Sequence, residues 1–233
     1  MTPASTHVRW ADTARVLAVL RPLRAALTAA EHARAALFAS PLDREDYLAA
    51  HLLVRACAAR ATGAEAAGLS YTHSCPDCGA TDHGRPRIPE LPELSVSLSH
   101  TAGRVAAAAG PGRVAVDIEG TSLNSVRLAA AHRMLTPRER AAVEAAPDPQ
   151  ACAALHWTYK ECLVKWGDAA LHSTGRIEAP PLVLRQGPVR RDDRWLWTWV
   201  DGGANGTSGT TMTSERPEIE GPGRLESLLT ATP

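Results

Sequence analysis

The chain has no excess of charge of either sign. Of its 233 residues, Lys plus Arg account for 25 and Asp plus Glu for 25, so the net charge is zero. Proteins that bind nucleic acid or anionic lipid usually carry a basic field over their surface. The sequence therefore predicts neither partner, although local basic sites remain open.

Long hydrophobic runs are also lacking. Residues 1–10 contain no apolar core of signal-peptide length, and Arg or Glu interrupts the alanine-rich stretches well below membrane-spanning length. We therefore expect a cytoplasmic protein with no membrane contact. Cysteine is scarce as well. Five cysteines at scattered positions are an odd number, which predicts reduced thiols and no disulfide framework.

The hydrophobic pattern predicts a mixed α+β chain. Short alternating segments predict strands at 8–11, 95–99, 105–109, 114–119, 182–184 and 195–200. Longer apolar segments predict helices around 48–56, 124–134, 137–145 and 151–166. No closing strand is recognisable after Val200. Gly, Thr, Ser, Glu and Pro dominate from there onward, so 202–233 is predicted to be a disordered tail.

Two capping boxes suggest an internal repeat. Thr28-Ala29-Ala30-Glu31 and Thr136-Pro137-Arg138-Glu139 each precede a short helix, a break containing proline and a longer helix. A duplication with a boundary near Pro111-Gly112 would explain the pattern. Because capping boxes are common, chance also explains it.

Acidic residues on two elements point to phosphate chemistry. On the strand at 114–119, Asp117 and Glu119 share one face, since side chains of a strand alternate. Trp157, Glu161 and Lys165 recur every fourth residue and share one face of a helix. Three carboxylates that converge could hold a divalent cation that binds substrate phosphate, with a lysine alongside.

Each of these residues also has a purely structural interpretation. Glu161 and Lys165 form a favourable pair on an exposed helix, worth about 0.3–0.5 kcal/mol. Asp117 and Glu119 could end a strand on a solvated face. Glu139 is explained completely by its third helical position in a capping box.

Four motifs taken together resemble one enzyme family. In chain order they are Ser99-His100, residues 116–119, residues 136–139 and residues 157–165. Their order and spacing over roughly 8–200 are similar to those of 4′-phosphopantetheinyl transferases of the surfactin-synthetase-activating type. The loop Cys75-Pro76-Asp77-Cys78-Gly79, followed by His83-Gly84-Arg85-Pro86, resembles actinobacterial members.

The resemblance implies a reaction and a fold. Such enzymes transfer the phosphopantetheine arm of coenzyme A to a serine of an apo acyl or peptidyl carrier protein, and release adenosine 3′,5′-bisphosphate. The fold expected is an α+β pseudodimer of two similar α/β-sandwich-like halves with the active site between them. Residues 1–112 would form the coenzyme A side and 113–201 the half with the metal-binding acids. The protein would act as a monomer.

The resemblance also implies roles for individual residues. Asp117, Glu119 and Glu161 would bind Mg²⁺, and Lys165 would neutralise charge on the pyrophosphate. Either Glu161, or Glu139 through a water, would take the proton from the serine. The residues expected to bind coenzyme A are Arg44, Arg85, Pro86, Ser99, His100 and Lys165.

Departures from the family pattern leave alternatives. Asp46 precedes Tyr47 where many members carry arginine, and His32 and Arg34 stand where basic residues are expected. Because no closing strand is recognisable in the second half, the main alternative to an active enzyme is a degenerate, non-catalytic binder of carrier protein or coenzyme A. An unrelated Mg²⁺ phosphohydrolase would explain the three acids but not Ser99-His100.

A zinc knuckle is a second question that the sequence leaves open. Cys75 and Cys78 lie close to His73 and His83. Structural zinc usually takes two thiol pairs, and only one is present here. We therefore predict a metal-free loop with reduced thiols.

Overall fold

A computed structural model describes residues 5–75, 78–80, 84–180, 182, 187–201, 206–222, 225 and 228. The helices are α1 Thr13–Val19, α2 Ala29–Ala36, α3 Pro41–Thr62, α4 Ser125–Met134, α5 Pro137–Glu144 and α6 Pro149–Trp166. The 3₁₀ helices are Arg21–Ala26, Ala66–Gly68 and Leu171–Arg176. The strands are β1 His7–Asp12, β2 Thr72–Ser74, β3 Arg85–Arg87, β4 Leu94–Thr101, β5 Arg104–Pro111, β6 Val114–Gly120, β7 Val189–Arg191, β8 Arg194–Asp201, β9 Thr207–Thr213 and β10 Glu218–Glu220. Within these ranges no helix is both long and apolar enough to cross a bilayer.

The strands form two four-stranded sheets and one small ribbon. The first sheet has the order β10-β1-β5-β4, the second has the order β6-β9-β8-β7, and β2 pairs with β3. The α+β class predicted from the sequence is confirmed. Three strands of each sheet, β1-β5-β4 and β6-β9-β8, follow the same antiparallel order along the chain.

The two sheets pack face to face, and a long helix covers the outer face of each. Tryptophan rings fill the layer between them: Trp10 comes from the first sheet, and Trp197 and Trp199 come from the second. Helix α3 packs on the first sheet, and helix α6 packs on the second. Both helices end at a glycine with positive φ, Gly63 at 77° and Gly167 at 97°, where the absence of Cβ removes the steric cost.

The prediction of a disordered tail at 202–233 was wrong for 207–213 and 218–220, which form strands β9 and β10. Strand β9 lies between β6 and β8, and all its residues are buried. It is the closing strand that sequence analysis failed to recognise. Four of its seven residues are threonines, whose β-branched side chains favour strands. Gly209 is needed because the ring of Trp199 lies against its backbone. Disordered segments are also rich in Gly, Ser and Thr, which explains the error. The strand predicted at 182–184 falls mostly outside the described residues.

After β9 the chain returns to the first sheet. Strand β10 pairs in parallel with β1, and Arg9 Nη2 lies 3.0 Å from Glu220 Oε2. Leu225 and Leu228 are buried in the core beneath α3. The first sheet therefore takes residues from beyond 201, and the two sheets do not coincide with the consecutive segments 1–112 and 113–201.

Candidate active site

A row of hydroxyl groups on β4 faces the acidic strand β6. Ser97 Oγ accepts a hydrogen bond from the backbone N–H of Val116 at 3.1 Å. Two residues further on, Ser99 Oγ donates to Asp117 Oδ1 at 2.8 Å. The next hydroxyl, on Thr101, donates to Glu119 Oε1 at 2.8 Å. Because the residues of a strand alternate, every second side chain of β4 points toward β6.

Each of the two β6 carboxylates also holds one cation from a helix. Lys165 of α6 donates to Asp117 Oδ1 at 2.6 Å, and Arg127 of α4 donates to Glu119 Oε1. The backbone N–H of Gly120 is a further donor to Glu119 Oε1, at 2.9 Å. Within the described chain no donor reaches Asp117 Oδ2 or Glu119 Oε2. Each carboxylate is thus anchored through one oxygen and leaves the other available.

Glu161 is the third acid, and its environment differs. It lines a cavity of about 550 Å³ between α4, α6 and the 3₁₀ helix Leu171–Arg176. Its carboxylate accepts no hydrogen bond from the residues that the structure describes. Burial raises the pKa of Glu161, and the negative charges of Asp117 and Glu119 add to the increase, while Lys165 opposes it. Glu161 is therefore an unpaired carboxylate near two others.

The three acids do not form a preassembled metal cage. In the described ranges, no group of three or more His, Cys, Asp or Glu side chains has the arrangement of a metal site. The charges of Asp117 and Glu119 nevertheless act on Glu161. The three acids that the sequence singled out are therefore neighbours, although their carboxylates do not converge on one point.

The raised pKa of Glu161 gives a testable pH dependence. Since the unfolded chain releases this proton at a lower pH, the folded state binds more protons between the two pKa values. The free energy of unfolding should therefore fall as pH rises through that window. Glu161→Gln cannot ionise, so it should be more stable than wild type above the folded pKa, and the difference should vanish below the unfolded pKa. Urea unfolding over a pH series measures this.

The control for this measurement is Glu144→Gln, since Glu144 is an exposed residue of α5. Its stability should follow the wild-type pH profile. A Glu161→Gln variant with that same profile would contradict the raised pKa of Glu161.

Glu139, the other candidate base, is bound in a structural network. The carboxylate completes the capping box with Thr136 and accepts from the backbone N–H of Ala179 at 2.7 Å. Lys160 Nζ lies 2.8 Å from Glu139 Oε1, and both side chains are buried. Although burial alone would raise it, hydrogen bonds from Lys160, Thr136 and Ala179 hold the pKa of Glu139 below its usual range. Glu139 is thus fully engaged, and it does not line the cavity that Glu161 lines.

The other capping box is built in the same way. Glu31 accepts a two-pronged ion pair from Arg55, at 2.8 Å for both bonds, and a bond of 2.7 Å joins it to His51. These contacts and the N-cap of Thr28 outweigh the effect of burial and lower the pKa of Glu31 to about 2. His51 and Arg55 are four residues apart on α3, as His156 and Lys160 are on α6.

Sequence analysis missed Lys160, Arg55 and Arg127. A signal for Lys160 was available, because the chain contains only two lysines, Lys160 and Lys165, among 25 basic residues. Both lie on α6, and each pairs with a carboxylate. Arg127 could not be found in this way, since arginine is abundant.

Two adjoining cavities lie along strand β4. The first, of about 450 Å³, is lined by Arg85, Pro86 and Lys165, among others. The second, of about 570 Å³, is lined by Arg34 and His100, among others. Both cavities share the lining residues Tyr71, His73 and Leu98. Arg85, Pro86, His100 and Lys165 thus line these two adjoining cavities, which together we call the cleft.

The other predicted ligands of coenzyme A lie elsewhere. Ser99 is engaged with Asp117, and Arg44 is exposed and donates to the backbone carbonyl of Phe38 at 3.3 Å. The unexpected Asp46 is buried, where it accepts hydrogen bonds from Thr13 and from the backbone of Gly103. Asp46 therefore bonds α3 to the β4–β5 turn. The residue that departs from the family pattern thus has a structural role in this chain.

His100 sits at the junction of the cleft and the acidic site. Burial lowers the pKa of His100; the carboxylate of Asp46 opposes the change, and the charge of Lys165 adds to it. Its ring makes T-shaped contacts with the rings of Phe38 and Tyr47. A neutral imidazole next to a cleft bordered by cations can accept or donate one hydrogen bond.

The strand-and-helix unit that carries the acids matches a known family. Residues 113–198 match the family model of the 4′-phosphopantetheinyl transferase superfamily. This part of the chain is similar to the domains of the 4′-phosphopantetheinyl transferase superfamily. It includes Asp117, Glu119, Glu139, Glu161 and Lys165, and it ends before strand β9, which completes its sheet.

A curated relative supports the same family. The chain is 28% identical over 145 residues to a 4′-phosphopantetheinyl transferase of Bacillus subtilis. The alignment covers 61% of this chain and spans 61% of the length of that relative. Arg85 and His100 lie outside the residues that the family model matches.

The Cys75–Cys78 loop contributes no ligand set that can be described. Cys75 is buried and Cys78 is exposed. His83, the other potential ligand, lies outside the described residues. The prediction of a metal-free loop stays a prediction.

Proposed function

We propose that the protein transfers the 4′-phosphopantetheine arm of coenzyme A to a serine of an acyl or peptidyl carrier protein, and releases adenosine 3′,5′-bisphosphate. The observation that carries the proposal is the unpaired carboxylate of Glu161, beside the anchored pair Asp117 and Glu119, within the residues that match the superfamily. Helix capping and strand termination do not explain why these three carboxylates lie together.

Glu161 is the base in this proposal. A serine hydroxyl is a weak nucleophile and needs a group that accepts its proton. Glu161 carries a raised pKa and no hydrogen bond within the described chain, so its carboxylate can accept a proton. Glu139 has a lowered pKa, and its oxygens are bound by Lys160, Thr136 and Ala179. We assign Glu139 a structural role.

Mg²⁺ fits the donor set. The free oxygens of Asp117 and Glu119, together with the carboxylate of Glu161, are hard ligands of the kind that this cation prefers. When bound, Mg²⁺ would polarise the pyrophosphate of coenzyme A and neutralise charge on it. Lys165 holds Asp117 in place and lies at the end of the cleft, where it supplies a second positive charge.

Coenzyme A occupies the cleft in this proposal. Arg85 and Lys165 face its phosphates, and Pro86 packs against the adenine. Gly167 allows the close approach of Arg85, because an added Cβ would lie 2.5 Å from Arg85 Nη2. The cleft is lined by residues of both halves, so both halves bind one substrate.

We also propose that the two halves descend from one duplicated unit. The matching strand orders and the twin networks at Glu31 and Glu139 support the duplication. In such a pseudodimer one polypeptide supplies both sides of the site, so the protein would act as a monomer.

Intact-protein mass spectrometry tests the proposed activity. An apo acyl carrier protein incubated with this protein, coenzyme A and Mg²⁺ should gain the mass of one phosphopantetheine arm. The gain should stop with a chelator, and Glu161→Gln should not produce it. The rate per molecule should not change with protein concentration, because no second chain is needed.

An apo carrier that binds but never gains mass would favour the alternative of a non-catalytic binder. That alternative rested on the missing closing strand of the second half. Strand β9 supplies the closing strand, so the structural argument for degeneration is gone. The superfamily match likewise removes the reason to invoke an unrelated phosphohydrolase.

A further inference from the structure

The anchors of the two β6 carboxylates repeat along the strand. Asp117 Oδ1 takes one hydroxyl from β4, that of Ser99, and one cation, Lys165. Glu119 Oε1 likewise takes the hydroxyl of Thr101 and the cation Arg127. Arg127 Nη1 also donates to Thr101 Oγ1 at 3.3 Å. Arg127, Thr101 and Glu119 Oε1 thus form a small ring of hydrogen bonds.

The two cations differ in what else holds them. Lys165 also donates to the backbone carbonyls of Leu98 and Val116, and its side chain is 28% exposed. Arg127 is 49% exposed, and its guanidinium contacts only Glu119 and Thr101 within the described chain. An exposed ion pair alone is worth little. Arg127 therefore matters less for stability than for the position of the Glu119 carboxylate.

We propose that Arg127 is a positioning residue, which together with Thr101 fixes Glu119 through Oε1 so that Oε2 is presented to the divalent cation. The proposal rests on the proposed metal site and adds a residue to it. Ligating carboxylates are commonly held by outer hydrogen bonds, and loss of such a partner costs about 10–100-fold in metal affinity. Without Arg127, Glu119 keeps its bonds from Thr101 and Gly120 but loses its charged anchor.

Manganese binding tests the proposal without measuring transfer. Mn²⁺ is titrated into the full-length protein and followed by electron paramagnetic resonance, both without and with coenzyme A. Arg127→Gln should weaken Mn²⁺ binding about tenfold, and Arg127→Lys should recover part of the loss. Thr101→Val should also weaken binding, by a smaller factor.

The matched control is Arg138→Gln, since Arg138 is 88% exposed and its only ion pair within the described chain is a 4.0 Å contact with Glu178. It should bind Mn²⁺ as wild type does, and circular dichroism should show that every variant is folded. Unchanged or tighter binding by Arg127→Gln would overturn the proposal, because tighter binding is what a competitor of the cation would give. If wild type bound Mn²⁺ neither without nor with coenzyme A, the metal site itself would be overturned, and the proposed role of Arg127 with it.

Discussion

Asp117→Asn is expected to lower the rate of transfer by about a thousandfold or more and to leave the fold intact. Asparagine keeps an oxygen for Ser99 and Lys165, so the local contacts persist. It removes the negative charge that the proposed cation needs. A metal ion stabilises transferring phosphate by several kcal/mol, and about 1.36 kcal/mol is a factor of ten in rate. Initial rates of carrier modification and circular dichroism measure the two effects.

Asp193→Asn serves as its control. Asp193 lies in the exposed turn between β7 and β8, where its carboxylate accepts a hydrogen bond from its neighbour Arg194 at 3.0 Å. Its rate should equal that of wild type. If Asp117→Asn stayed within a factor of ten of wild type at ordinary Mg²⁺ concentrations, Asp117 could not be an essential ligand.

Lys160→Met is expected to produce the largest loss of stability, about 3–5 kcal/mol, as is typical when one partner of a buried ion pair is removed. Lys160 is completely buried and bonds to Glu139 and to the backbone carbonyls of Thr174 and Ile177. Methionine fills the space but leaves the Glu139 charge without its partner. Urea unfolding, followed by fluorescence of the tryptophans between the sheets, measures the change.

The double variant Glu139→Gln/Lys160→Met separates charge from packing. With no charge left unpaired, it should regain part of the lost stability. It should also retain transfer activity per folded molecule, because we assign Glu139 no chemical step. A single variant that loses less than about 1 kcal/mol would mean that water solvates the Glu139 charge. An inactive but stable double variant would make Glu139 catalytic after all.

Local patterns were sufficient to predict most of the elements. Alternation predicted strands β4, β5 and β6, and the structure confirms all three. The two capping boxes also form as the residue types indicate. Strand alternation further placed Asp117 and Glu119 on one face, and both carboxylates accept hydrogen bonds from hydroxyls of β4.

Features that depend on distant contacts were not predictable in the same way. Strand β9 has the composition of a loop, and only pairing on both edges makes it a strand. Ser99 was expected to bind phosphate, but the sequence could not show that β4 would lie beside β6 and give its hydroxyl to Asp117. The partner of Glu139 is on another helix, so its capping pattern could not reveal a buried ion pair.

The return of the chain to its first sheet has a consequence for synthesis. Domains usually fold in the order in which they leave the ribosome, the N-terminal one first. Here Arg9 and its partner Glu218 are separated by 209 positions, and the leucines at 225 and 228 seal the core under α3. Contacts over such distances form slowly. The first sheet is therefore translated first but completed last. Strand β1 has an unpaired edge until β10 has been synthesised, and the core under α3 is complete only after Leu225 and Leu228 have followed.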